Sequence, residues 1–119
     1  MNLDEKIINA LKDLDYKEAT EIQKKAIPIA LKKRDILAAA QSGTGKTAAF
    51  LLPILTELLA NKQVDKPILR ALILVPTREL ATQISKAVDD FSKYMEVESL
   101  AMVGGVSTKE KEKKIAKGL

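Results

Sequence analysis

The sequence predicts an α/β domain in three layers, with helices on both faces of a parallel sheet. Three observations predict it. Ala71-Leu72-Ile73-Leu74-Val75 is a short apolar run that is continuous rather than alternating, the pattern of a strand covered on both faces. It and the short runs at 35–39 and 97–103 are each followed by a longer stretch with helical character, so strand and helix alternate three times. Between the first run and its helix lies a glycine-rich loop, Ala40-Gln41-Ser42-Gly43-Thr44-Gly45-Lys46-Thr47. Strands joined through helices in this way pair in parallel, with right-handed crossovers.

Two helices precede the first strand. Asp4 is placed to cap a helix whose stripe is Ile7, Ile8, Leu11 and Leu14. Asp15 to Ala19 is a polar connection holding Tyr16. A second helix starts at Thr20, with Ile22, Ala26, Ile29, Ala30 and Leu31 apolar; Pro28 inside it should kink it or strain the bond to the Lys24 carbonyl. Residues 35–39 read as the first buried strand. The helix from Gly45 carries Ala48, Ala49, Leu51, Leu52, Leu55, Leu58 and Leu59, with no strongly polar face, so two sides should be covered; Pro53 should bend it. Asn61 to Pro67 has loop composition. Pro76 ends the second strand. A helix from Thr77 to about Tyr94 turns Leu80, Ile84, Ala87, Val88 and Phe91 inward. Val97 to Val103 is the third strand, stopped by Gly104-Gly105. A charged helix from about Thr108 to Lys117 follows, a solvated face with Glu110 and Lys114 at i,i+4.

Composition narrows the function. A chain of 119 residues is one domain or part of one. Hydrophobic residues at 46% and charged residues at 30% are globular values. Aromatics are only 3%, so the core must be aliphatic, and binding of nucleic acid by base stacking lacks its platforms. A net charge of +4, from 20 basic and 16 acidic residues, is a mild excess compatible with a polyanionic partner. Lys24 to Arg34 holds five basic residues and no acid, equally a solvated face or a functional patch. The absence of Cys and His excludes disulfides, thiolate metal sites and imidazole acid–base chemistry, and permits a reducing cytosol. Met1-Asn2-Leu3-Asp4-Glu5 does not read as a signal peptide, and no stretch is long and apolar enough to span a bilayer. The expected setting is cytoplasmic.

The loop at 40–47 carries the most specific chemistry. Glycines at 43 and 45 let successive N–H groups converge on phosphate oxygens, and the helix that follows points its positive end at the same place. Lys46 can reach the β- and γ-phosphates, and the Thr47 hydroxyl can ligate Mg²⁺. The loop therefore points to a nucleoside triphosphate, although the strict pattern has Gly where this chain has Ala40; the plainer reading is a strand-to-helix turn with an exposed lysine. Pro76-Thr77-Arg78 stands at the carboxyl end of a strand, where Thr77 can cap the helix and the first-turn N–H groups with Arg78 form an anion site, or only an ordinary cap. Gly104-Gly105 permits close backbone approach to a ligand, or only a tight turn. Gln23, three residues after Thr20, completes a capping box; its amide could also pair with an adenine edge.

Taken together these residues resemble the first lobe of the DEAD-box RNA helicases. Tyr16, Thr20, Ile22 and Gln23 are similar to that family's adenine-reading Q motif, Ala40 through Thr47 to its motif I or Walker A loop, Pro76 through Ala81 to its motif Ia, and Gly104-Gly105 to its GG motif. Asp90, Ser92-Lys93-Tyr94 and Gly104-Gly105-Val106-Ser107 lean toward the bacterial RhlE-like branch. Asp15 and Ala19 stand where the family usually has Gly and Pro, and Lys33 where it often has Gly.

The resemblance implies a RecA-like P-loop NTPase fold of which this chain is the N-terminal part, with residues 1–34 as Q-motif helices and 35–119 as the P-loop portion. It implies ATP and Mg²⁺ as cofactors. Tyr16, Gln23, Ser42, Gly43, Thr44, Gly45, Lys46, Thr47 and Ala48 would bind nucleotide, with Lys46 and Thr47 serving catalysis and Thr47 the metal. Pro76, Thr77, Arg78, Gly104 and Gly105 would meet the RNA sugar–phosphate backbone, a sequence-tolerant contact. The family's T-P-G-R, D-E-A-D and S-A-T motifs and second lobe are not in this sequence, so the 119 residues alone are expected neither to hydrolyse ATP appreciably nor to unwind RNA. In such sheets the loop-bearing strand neighbours later strands, so marginal stability or self-association through open edges is expected. The alternatives are another P-loop ATPase, DNA-directed or nucleotide-kinase-like, and a non-catalytic RNA-backbone module.

Overall fold

A computed structural model describes residues 3–40, 45–60 and 69–102. Among them are four helices: α1 (Glu5–Asp13), α2 (Glu21–Leu31), α3 (Lys46–Ala60) and α4 (Arg78–Phe91). Each starts where the sequence places it. Asp4 caps α1, its Oδ1 accepting from the Lys6 N–H at 2.9 Å. Thr20 and Gln23 form a reciprocal capping box at α2. Thr77 caps α4, its hydroxyl accepting from the Leu80 N–H at 3.1 Å. The helix expected to reach Tyr94 stops at Phe91; the Ser92 cap N–H still makes the helical bond to the Val88 carbonyl, and its hydroxyl donates to the same oxygen. α2 and α3 run through Pro28 and Pro53, each of which leaves one carbonyl, that of Lys24 and that of Ala49, without its helical donor. The connection at 61–67 and the charged helix at 108–117 lie outside the described residues.

The sheet is where expectation and structure part. Segments 35–39, 71–75 and 97–102 are non-helical as expected, yet no strand is assigned among the described residues. A strand exists only through ladder hydrogen bonds to a neighbour, and no such ladder joins these segments. The open sheet edge expected to drive self-association is likewise not formed among them. Nor are the runs covered on both sides. Ile73 and Val75 pack against the core, whereas Leu72, Leu74 and Leu37 are exposed, because the described helices lie against one side only.

α3 is the centre of the packing. Leu51, Leu52 and Leu55 are its fully buried side chains, joined by Ile7 from α1 and Ile27 from α2. From α4 come Ile84, Val88 and Phe91. Burying each such side chain stabilises the fold by about 1.5–3 kcal/mol. α2 packs on α3, α4 packs on α3, and α1 lies across both α3 and α4, while α1 and α2 do not pack on each other. The connection between them, residues 14–20, must therefore find its own anchors. Its first anchor is a Schellman turn: the Asp15 N–H donates to the Lys12 carbonyl at 3.0 Å and the Tyr16 N–H to the Leu11 carbonyl at 2.9 Å.

Among the described residues, two adopt left-handed backbone without being glycine. Asp15 and Lys33 both have φ of 61°, and each is the first residue beyond a helix C-cap, where glycine is favoured. Asp tolerates this region better than Lys, because its short side chain can bond locally. Lys33 also pairs with Glu57 at 3.2 Å, but both groups are largely in water and such a pair contributes about 0–1 kcal/mol.

A polar corner ties α1 to the turn after α4. The Asp13 carboxylate accepts from Lys93 Nζ at 2.9 Å and from the Tyr94 hydroxyl. These hydrogen bonds, Tyr94's first, hold the Asp13 carboxyl below the usual carboxylate range. They outweigh the slight desolvation of the carboxyl, which would push it up. The same contacts raise Lys93 and Tyr94 above their ordinary values.

Two outcomes follow from these features. Lys33→Gly is expected to raise stability by about 0.5–1 kcal/mol, read as a higher urea midpoint with unchanged slope, and Asp15→Gly by less. A depressed carboxyl contributes stability above its unfolded value of about 3.9 and loses it as pH falls through the lower folded value. A carboxyl ¹³C titration should accordingly place Asp13 below the ordinary aspartate value, and Tyr94→Phe should move it upward.

Candidate nucleotide site

The site is built where α2 and α3 begin. Gln23 is the fourth-residue partner in the Thr20 cap: its Oε1 accepts from the Thr20 N–H at 3.0 Å, while the Thr20 hydroxyl accepts from the Gln23 N–H at 3.4 Å. The box fixes the glutamine amide, which is 4% exposed. Its Nε2 then donates across the fold to the Gly45 carbonyl at 3.2 Å. That carbonyl also accepts the first helical bond of α3, from the Ala49 N–H at 3.1 Å. One oxygen, with its two lone pairs, thus joins the start of α2 to the start of α3.

Gly45 is glycine for two physical reasons. Its φ is +84°, and a Cβ there would stand 2.4 Å from Gln23 Nε2 and 2.8 Å from the Thr20 hydroxyl oxygen. The loop can approach the Thr20–Gln23 box this closely only without a side chain.

Lys46 and Thr47 form the first turn of α3, and Lys46 is exposed. Their ammonium and hydroxyl stand at the positive end of a 15-residue helix, a donor set suited to phosphate oxygens. Tyr16, Thr20, Gln23, Gly45, Lys46 and Thr47 all line one open concavity. Ala48 is different: it is buried in the core cluster, so only its backbone is available to a ligand. Tyr16 is half-exposed and sets its ring edge-on against Phe91, centroids 5.8 Å apart at 83°. Ser42, Gly43 and Thr44 lie outside the described residues. So do Gly104 and Gly105. Pro76, Thr77 and Arg78 are exposed at the start of α4, with Thr77 engaged as the cap.

The structure therefore brings Thr20, Gln23, Gly45 and Lys46 together, with Thr20 acting as the cap that the sequence predicts. The corner of Asp13, Lys93 and Tyr94 had no sequence signal, since its partners are 80 and 81 residues apart. No group of three or more Asp or Glu that could hold a metal lies among the described residues. No helix among them is long and apolar enough to cross a membrane.

Comparison with known proteins gives this geometry its family. A family model described as DEAD/DEAH box helicase matches residues 20–119. The chain is 43% identical over 117 residues to the probable ATP-dependent RNA helicase ddx27 of Dictyostelium discoideum, covering 98% of this chain and 15% of that protein. It is 48% identical over 107 residues to the ATP-dependent rRNA helicase RRP3 of Kluyveromyces lactis, covering 90% of this chain and 21% of the relative. Both relatives are eukaryotic and lend no support to the bacterial RhlE-like branch. Among solved structures, the RNA helicase Prp28 from Chaetomium thermophilum bound to ADP superposes with a TM-score of 0.85 at 38% identity, over 98% of this chain and 28% of that one. A DEAD box protein from Methanococcus jannaschii gives 0.85 at 30% identity, over 99% and 31%. The chain thus spans less than a third of each of these proteins, and the RecA-like fold that the isolated helices leave unpaired is the fold of its neighbours. With its family model covering residues 20–119, this chain belongs to the DEAD/DEAH box helicase family.

Proposed function

We propose that the chain is the ATP- and RNA-binding portion of an ATP-dependent RNA helicase, with residues 1–34 supplying the Q-motif helices and 35–119 the P-loop portion. The observation that carries this reading is the hydrogen bond from Gln23 Nε2 to the Gly45 carbonyl, which joins a base-reading amide to the phosphate loop. The amide keeps capacity for a base. Its oxygen has two lone pairs, of which Thr20 uses one, and its nitrogen has two hydrogens, of which Gly45 uses one. One acceptor and one donor remain, the complement of adenine N6 and N7. The ADP-bound neighbour supports a nucleotide in this fold.

Lys46 would hold the terminal phosphates. Mg²⁺, arriving with the nucleotide, would neutralise phosphate charge, and the Thr47 hydroxyl is the protein group placed to ligate it. For RNA, Thr77 and Arg78 at the start of α4 present a helix N-terminus and a guanidinium to backbone phosphate, contacts that position a strand without reading its sequence. No observation favours a different P-loop ATPase or a purely RNA-binding module.

Calorimetric titration of the magnesium–nucleotide complex into the full chain tests the reading. ADP is expected to bind more tightly than GDP. Gln23→Ala should bring the two together, losing about tenfold for ADP, as removal of one partner of a buried hydrogen bond does. Gly45→Ala should weaken both nucleotides, because its Cβ collides with the Gln23 amide. Lys46→Ala should weaken ATP more than ADP. Folded protein that shows no heat with millimolar nucleotide would overturn the proposal.

A further inference from the structure

We propose that Asp13, Lys93 and Tyr94 are positioning residues for adenine recognition: by clamping the chain ahead of Thr20 to the turn after α4, they set where the Gln23 amide stands. This rests on the nucleotide reading above. α1 and α2 do not pack on each other, and beyond the Schellman turn that ties Asp15 and Tyr16 to α1 neither helix braces the segment between them. What fixes it are contacts between residues 13–16 and residues 91–94. Asp13 takes the Lys93 ammonium at 2.9 Å and the Tyr94 hydroxyl; Tyr16 sets its ring on Phe91 at 5.8 Å. Lys93 Nζ also lies 5.5 Å from the centre of the Tyr94 ring, so the two donors brace one another. Phe91 is in the core, and the whole clamp is thereby referred to a rigid wall.

From Tyr16 the chain has only Lys17, Glu18 and Ala19 before Thr20. Lys17 pairs loosely with Asp15 at 3.9 Å, in water. At Thr20 the tolerances tighten: the box and the Gly45 bond lie at 3.0, 3.4 and 3.2 Å. The 3.2 and 3.4 Å bonds are already long, so a displacement of a few tenths of an ångström weakens them further. The clamp is exposed, so its direct contribution to stability is small. Its leverage on a short-tolerance amide is the larger effect. The same side-chain contacts do not touch Lys46 or Thr47, so the phosphate end should be spared.

The test measures ADP and GDP affinity for the full chain and for Asp13→Ala, Tyr94→Phe and the double variant, with a melt for each. Tyr94→Phe removes one exposed hydroxyl and keeps the Lys93 pair, so it should fold even if Asp13→Ala does not. Asp13→Ala is expected to weaken ADP by about three- to tenfold and GDP by less than about twofold. Tyr94→Phe should do the same to a smaller degree, and the double variant should be no worse than Asp13→Ala, as for residues acting through one contact. Faster solvent exchange of the Gln23 side-chain amide protons should accompany the loss. An ADP to GDP ratio unchanged in the variants, or an equal loss for both nucleotides with a lower melt, overturns the clamp and marks it as bracing alone. Absence of adenine preference in the unaltered chain sinks the nucleotide reading, and the clamp with it, before any variant is made.

Discussion

The Gly45 carbonyl is the point on which this architecture turns. It accepts the Ala49 N–H that starts α3 and the Gln23 side chain that ends the Thr20 box. Two helices that are far apart in sequence therefore share one oxygen at their origins. Because a helix origin is also where unpaired N–H groups and positive potential collect, the shared atom puts both origins beside one concavity. The lack of a side chain at residue 45 is the condition for this arrangement, and the +84° backbone angle is its local signature.

The rest of the packing holds that point still. α3 carries a run of fully buried leucines, and every other described helix touches it. Lys46 and Thr47 therefore stand on an element that cannot shift without disturbing the core. The left-handed residues Asp15 and Lys33 work against this economy of strain, since each holds a conformation that a glycine would adopt at lower cost. They bracket α2, the helix that carries Gln23. The fold thus accepts strain on either side of α2 while keeping the start of that helix capped and its Gln23, Ala26 and Ile27 side chains buried.

Local chemistry was legible and tertiary pairing was not. Asp4, Thr20 and Thr77 announced their helices because a cap is a contact between residues two or three apart. Gly45-Lys46-Thr47 announced the turn into α3 for the same reason. Ala71 to Val75 suggested a covered strand, but strand identity depends on a neighbour, and the described residues supply no ladder; the exposed Leu72 and Leu74 record the missing cover. Gln23 was ambiguous between cap and ligand; the structure shows the cap and adds a contact with Gly45, 22 residues on, that lies beyond any local pattern. Tyr16 was read as a nucleotide contact, and its placement on Phe91 adds an anchoring part that no local pattern encodes.

The scarcity of rings has a last consequence. The chain has no tryptophan and two tyrosines. Tyr16 and Tyr94 both stand at the meeting of α1 with the end of α4, one against Phe91 and the other donating to Asp13. Near-ultraviolet absorption and emission from this domain therefore come from one corner of the molecule and are almost blind to its aliphatic interior. The protein carries its own optical label at the approach to α2, and a change in that light would report local rearrangement there while the leucine centre stayed intact.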